Sequence, residues 1–139
     1  IVDAVEALSR ICTDDLIAST LTRNGLLTGR GNRWTRERVT SLRVNRKIPC
    51  YSAERRENEG WMNLTEASAY VDLAPASLRR AVERGDVVAM HPLPDGPWVF
   101  RRDHLDDPAV RRALQRIQKR SPRAGVQDPG QLSLFKSTN

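Results

Sequence analysis

Apolar residues return every three or four positions from the start of the chain. Val2, Val5, Leu8 and Cys12 fall on one face and predict a helix over 2–11. Thr13 is a good N-cap for a second helix over 14–23, with Asp14 and Asp15 at its positive end and Leu16, Ile17 and Leu21 turned inward. Asn24-Gly25 stops it, because glycine accepts the left-handed backbone of a C-cap. After the loop "LLTGRGNRW", Thr35 is a second N-cap, and Trp34 and Val39 hold the positions of a hydrophobic staple. The third helix is predicted over 36–46, with Val39 and Leu42 inward and Arg36, Arg38, Ser41, Arg43, Asn45 and Arg46 on the other face. Pro49 ends it.

Residues 49–61, "PCYSAERRENEGW", show no apolar period and are predicted to form a linker. Thr65 is the expected cap of a short helix over 66–71, with Ala67, Ala69 and Tyr70 inside. Asp72-Leu73-Ala74 forms a tight turn, and Pro75 takes the N1 position of a helix over 75–84 with Leu78 and Val82 inward and Gly85 as its C-cap. The period then changes: "VVAM" at 87–90 and "WVF" at 98–100 flank "HPLPDGP", the signature of a β-hairpin. Asp103 starts a short turn. Asp107-Pro108 opens a last helix to about Lys119, with Val110, Leu114 and Ile117 on one face. Beyond Ser121 the Pro, Gly, Gln, Ser and Arg content predicts disorder.

A pair of helices whose second member is polar and cationic outside is the raw material of a helix-turn-helix. The pattern therefore predicts a mostly α fold. It has two small helix-turn-helix modules, the second with a short β-hairpin wing, and a disordered C-terminal tail. The expected divisions are 1–48, a linker at 49–61, 62–119, and a flexible tail at 120–139.

Charge sharpens this picture. The formal net charge is +6, and of 23 basic residues only Lys47, Lys119 and Lys136 are lysine. Arginine's planar fork of donors suits phosphate and guanine, so the balance points to nucleic acid. A GC-rich genome accounts for arginine over lysine but not for the positive net charge. Cys12 and Cys50 match no metal spacing, and Cys12 is expected in the core. No apolar run approaches the roughly 20 residues of a membrane span. Neither cofactor nor metal is expected, and the chain is expected to be cytoplasmic, on the nucleoid, with no membrane partner. Because it opens on Ile1, without a signal-peptide pattern, it is expected to be a piece of a longer protein.

The stretch "IASTLTRNGLLTGRGNRWTRERVTSLR" resembles the DNA-binding segment of bacterial serine site-specific recombinases. Ile17, Ala18, Leu21, Gly25, Thr28, Gly31, Trp34, Thr35, Val39 and Leu42 occupy that family's pattern. The stretch "MNLTEASAYVDLAPASLRRAVERGDVVAMHPLPDGPWVFRRDHL" is similar to the small winged helix-turn-helix of excisionases and MerR-type regulators. It departs from that pattern at Asp72, where glycine is usual, and at Ala74, where a serine cap is usual and whose lack is worth about 1 kcal/mol. The cysteine zinc ribbon of large serine recombinases is missing. The resemblance implies that the nucleophilic serine and its catalytic domain lie upstream of Ile1, so that this piece binds double-stranded DNA without cutting it. Self-association then runs through that domain.

The candidate DNA-contacting residues follow. Thr35, Arg36, Arg38, Thr40 and Ser41 are placed to read bases, and Arg43, Asn45, Arg46 and Lys47 to hold phosphates. Arg30 and Arg33 lie in a glycine-flanked loop that is either a mobile turn or an arm reaching the backbone or minor groove. In the second module the candidates are Ser77, Arg79, Arg80 and Arg84, with Arg101 and Arg102 after the wing; Glu83 is close enough to pair with some of them. His91 and His104 are solitary and fit surface positions. Trp98 is expected in the core. No P-loop, GxSxG or metal-spaced Cys–His set is present, so the piece is expected to be non-enzymatic.

Two other functions fit the same residues: a stand-alone excisionase or MerR-like regulator of transcription, and an interaction protein whose second module binds protein. The tail adds one more feature. "QLSLF" resembles the short peptide by which bacterial DNA-processing proteins dock on the replication sliding clamp. Gln131 would be its polar anchor, with Leu132, Leu134 and Phe135 filling an apolar groove. The bland alternative is that the three apolar residues pack back on the helix around Leu114.

Overall fold

The computed structural model describes residues 1–120. Among these the chain is mostly helical: α1 (Val2–Leu8), α2 (Asp14–Arg23), α3 (Arg36–Asn45), α4 (Ala53–Glu59), α5 (Leu64–Val71), α6 (Pro75–Glu83), α7 (Arg102–Asp106) and α8 (Pro108–Arg120). Two short strands, β1 (Trp61–Met62) and β2 (Phe100–Arg101), pair antiparallel with Trp61 opposite Arg101 and Met62 opposite Phe100. No helix among the described residues is long and apolar enough to cross a membrane.

The helix starts follow the capping chemistry. Thr13 and Thr35 accept from the backbone N–H groups of Leu16 and Arg38, and Asp107 accepts from those of Ala109 and Val110. At α5 the cap is Asn63, not Thr65. Asn63 Oδ1 accepts from the Glu66 N–H at 2.8 Å and the Glu66 carboxylate accepts from the Asn63 N–H at 2.9 Å, a reciprocal box that satisfies two orphan donors. Pro75 starts α6 behind Ala74, which offers no side-chain cap.

The stretch expected to be a linker contains α4. Its side chains follow no apolar period, but Ser52 caps its first turn and Gly60 ends it at φ +77°. A Cβ on Gly60 would sit 2.7 Å from Arg102 Cβ, so glycine is needed both for its backbone and for the close approach of α7. α1 is shorter than its period predicts, ending at Leu8, and Cys12 is buried just beyond it.

Two cores form. The first gathers Val5, Leu8, Ile17, Leu21 and Val39 with Trp34, and also takes in Leu93 and Val99 from the far part of the chain. The second gathers Ala67, Leu73, Leu78, Ala81, Phe100, Leu105 and Leu114, with Val110 and Ile117 against it. Fully burying an aliphatic side chain of this kind stabilises by about 1.5–3 kcal/mol, so these positions dominate the fold. Leu16 does not join them; it is 55% exposed. Ala69 and Tyr70 are likewise exposed, and Ser68 takes the inward place, its hydroxyl donating to the Thr65 carbonyl.

The predicted hairpin closes on a single bridge, Met90 to Val99, with backbone hydrogen bonds of 2.9 and 2.7 Å. Its tip is held against α2. The Asn24 amide donates to the Asp95 carbonyl at 2.7 Å and its oxygen accepts from the Asp95 N–H at 2.9 Å. Arg23 lies 3.7 Å from the Asp95 carboxylate. A Cβ on Gly96 would meet Thr20 Cγ2 at 3.0 Å. Lower down, the Trp61 ring has the guanidinium groups of Arg10 at 4.6 Å and Arg101 at 5.2 Å from its centre, cation–π contacts that tie the turn after α1 to the strands.

Candidate nucleic-acid interface

Seven arginines have an ion-pair partner among the described residues. Arg23, Arg36, Arg43, Arg56, Arg84, Arg101 and Arg111 each lie within ion-pair distance of a carboxylate. The exposed cations that have no carboxylate within ion-pair distance among the described residues fall in three places: Arg30, Arg33, Arg38, Arg46 and Lys47 surround α3, Arg79 and Arg80 lie on α6, and Arg112, Arg116 and Lys119 lie on α8.

The loop before α3 is built rather than loose. Leu27 pairs with Arg33, the Thr28 N–H donates to the Asn32 carbonyl at 2.8 Å, and Thr28 Oγ1 accepts from the Asn32 N–H at 3.0 Å. One Arg38 guanidinium nitrogen donates to the Arg33 carbonyl at 2.6 Å and ties this loop to the helix. Trp34 is buried behind it, and its indole N–H has no acceptor among the described residues. A shallow groove results, lined by Thr28, Gly29, Arg30, Asn32, Arg38, Ser41 and Asn45, with Glu37 and Trp34 completing its wall. Arg36 is exposed at the start of α3 and carries its own counter-charge, Glu37, at 3.1 Å. Thr35 is occupied as the cap.

Two expected members of this face point elsewhere. Arg43 is turned inward, with its Nε 3.0 Å from Asp14 Oδ1, a terminal nitrogen 3.0 Å from Asp14 Oδ2, and another 3.1 Å from the Ile48 carbonyl. Only 11% of its side chain and 13% of that of Asp14 are exposed. Thr40 donates to the same carboxylate at 2.7 Å. Partial burial disfavours the charge on Asp14, but hydrogen bonds from Arg43 and Thr40 and the guanidinium charge outweigh it, so Asp14 titrates below the ordinary carboxylate value. Asp14 thus locks α2 to α3 and withdraws Arg43 and Thr40 from the outer surface. A carboxylate 29 positions away is invisible to the periodicity that assigned them.

On α6, Leu78 and Ala81 face the second core, Arg79 and Arg80 face outward, and Ser77 is half-buried. Arg84 pairs with Asp86 at 3.3 Å. Arg101 is half-buried, stacked over Trp61 and 3.9 Å from Asp103, and Arg102 packs against Gly60. Both therefore have places in the fold. His91 and His104 are exposed; His91 stacks on the half-buried Trp98 at 4.1 Å, and its Nε2 is 3.1 Å from the Gly96 carbonyl. Among the described residues no cluster of His, Cys, Asp and Glu is arranged to hold a metal. The clamp-like residues Gln131, Leu132, Leu134 and Phe135 lie outside the described residues.

Comparison of the chain with protein-family models, with curated proteins and with solved structures gave no match.

Proposed function

We propose that the chain is a sequence-specific double-stranded DNA-binding unit made of two helix-turn-helix pairs, α2–α3 and α5–α6. In this reading it positions the catalytic domain of a serine site-specific recombinase on its recombination site. The observation that carries it is the partition of the cations. One set of arginines has an intramolecular carboxylate within ion-pair distance, and most of the exposed cations without one surround α3 or lie on α6, the two second helices, with the rest on α8. A face that merely keeps a protein in solution is expected to mix both signs; here α3 and α6 hold one acid each, Glu37 and Glu83, against a cationic majority that suits phosphates.

The division of labour follows from exposure. Arg36 and Arg38 lie in the first half of α3, the half that contacts base edges in helix-turn-helix proteins, and Ser41 follows directly after it. Arg30, Arg33, Arg46 and Lys47 flank it and suit phosphates, which fix register without reading sequence. Arg79 and Arg80 do the corresponding work on α6. The hairpin is not a free wing in this reading. Its tip is taken up by Asn24, so it fixes the two helix pairs relative to each other rather than reaching for DNA.

Selection of bound sequences from a random duplex library tests this. A two-part motif is expected, with Arg38→Ala relaxing one part and Arg80→Ala the other. Recovery of no enriched sequence would remove the reading.

A further inference from the structure

The last helix carries a charge pattern that the two proposed reading helices do not use. α8, PAVRRALQRIQKR, holds no acidic residue. Its apolar stripe is spent inside: Leu114 is in the second core, and Val110 and Ile117 pack against it. Arg112, Arg116 and Lys119 lie exposed on the other side, at i, i+4 and i+7. None has a hydrogen-bonding or ion-pair partner among the described residues. Arg111, one residue away, is the contrast: it lies 2.8 Å from the Asp106 carboxylate and 5.9 Å from the centre of the Tyr70 ring. The same helix thus separates a cation used in the fold from three that are not.

We propose that Arg112, Arg116 and Lys119 form a phosphate rail, a sequence-independent DNA contact that adds to the sites on α3 and α6. It rests on the DNA-binding reading. Like charges four residues apart repel on a helix, and a polyanion turns that repulsion into attraction. A basic amphipathic helix also suits a membrane surface, but that requires its apolar face, which here is buried in the protein. What remains for a partner is charge alone. With about 1.5 Å of rise per residue, the three cations span about 10 Å of helix axis. A DNA strand offers one phosphate per about 3.4 Å of duplex axis, so each long side chain can meet a different phosphate. α8 packs against α6, which places the rail on the same unit as Arg79 and Arg80.

The test is a salt series with the chain and its R112Q/R116Q/K119Q variant, on a selected duplex and on a random-sequence duplex. Glutamine preserves helix propensity while removing charge. The expected result is a log–log salt slope shallower by about two to three for both duplexes, at about 0.9 per phosphate contact, with the ratio between them unchanged. Arg116→Gln alone should remove about one contact and guards against misfolding of the triple variant; the doubly conservative R112K/R116K should keep the slope. An unchanged slope in the Gln variants, with duplex binding intact, overturns the rail and leaves the DNA reading standing. If the unaltered chain binds duplex with no salt dependence, the DNA reading fails and the rail with it.

Discussion

Arg43 and Asp14 are joined through both carboxylate oxygens, across the packed faces of α2 and α3, with little of either side chain exposed. An arginine that periodicity places among DNA contacts is a bolt inside the fold. Arg43→Ala should therefore cost roughly 2–4 kcal/mol of stability, between the values of exposed and fully buried pairs, because Asp14 is left half-desolvated and alone. Denaturant titration measures that loss. Duplex affinity of the folded variant should stay near that of the unaltered chain, whereas Arg38→Ala should lower affinity with little change in stability.

The same pair sets an acid limb. Asp14 titrates lower in the folded state than in the unfolded chain, so its stabilising contribution is complete above the ordinary value of 3.8 and is lost as pH falls through the lower, folded value. Stability followed from pH 6 down to about pH 2 should drop more steeply in the unaltered chain than in Asp14→Asn. Equal slopes would mean that other carboxylates govern the acid transition.

Asn24 and Asp95 are 71 positions apart, and the side chain of one meets the backbone of the other through two hydrogen bonds. Asn24→Ala should destabilise by roughly 1–2 kcal/mol, the worth of two partly exposed bonds. The Asp95 amide should exchange faster with solvent deuterium than in the unaltered chain. An unchanged exchange rate there would argue that the hairpin tip is held by something other than Asn24.

Gly60 answers two demands at once, a left-handed backbone and contact with Arg102. Gly60→Ala should cost at least about 1–3 kcal/mol, and a thermal melt reads it directly. Gly29→Ala meets open space and serves as the control.

Local chemistry was the legible part of this chain. Thr13, Thr35 and Pro75 mark helix starts because a cap is a contact over three residues or a fixed φ. Asn63 was missed in favour of Thr65 because both are good caps; the Glu66 three residues beyond Asn63 was the available signal. α4 was missed because "AERRENE" has no apolar face, although Ser52 and Gly60 bracket it. The withdrawal of Arg43 and Thr40 and the docking of the hairpin depend on partners far off in sequence, and no period carries that information. Charge counted along the chain could nominate a surface; only the ion pairs say which arginines are left for a partner.

The most direct test of the central claim is the salt dependence of duplex binding by the chain. The seven unpaired cations around α3 and on α6 predict that the affinity constant falls with a log–log slope of up to about −6, near −0.9 for each phosphate engaged. An affinity that stays flat as salt is raised would contradict DNA binding by these surfaces.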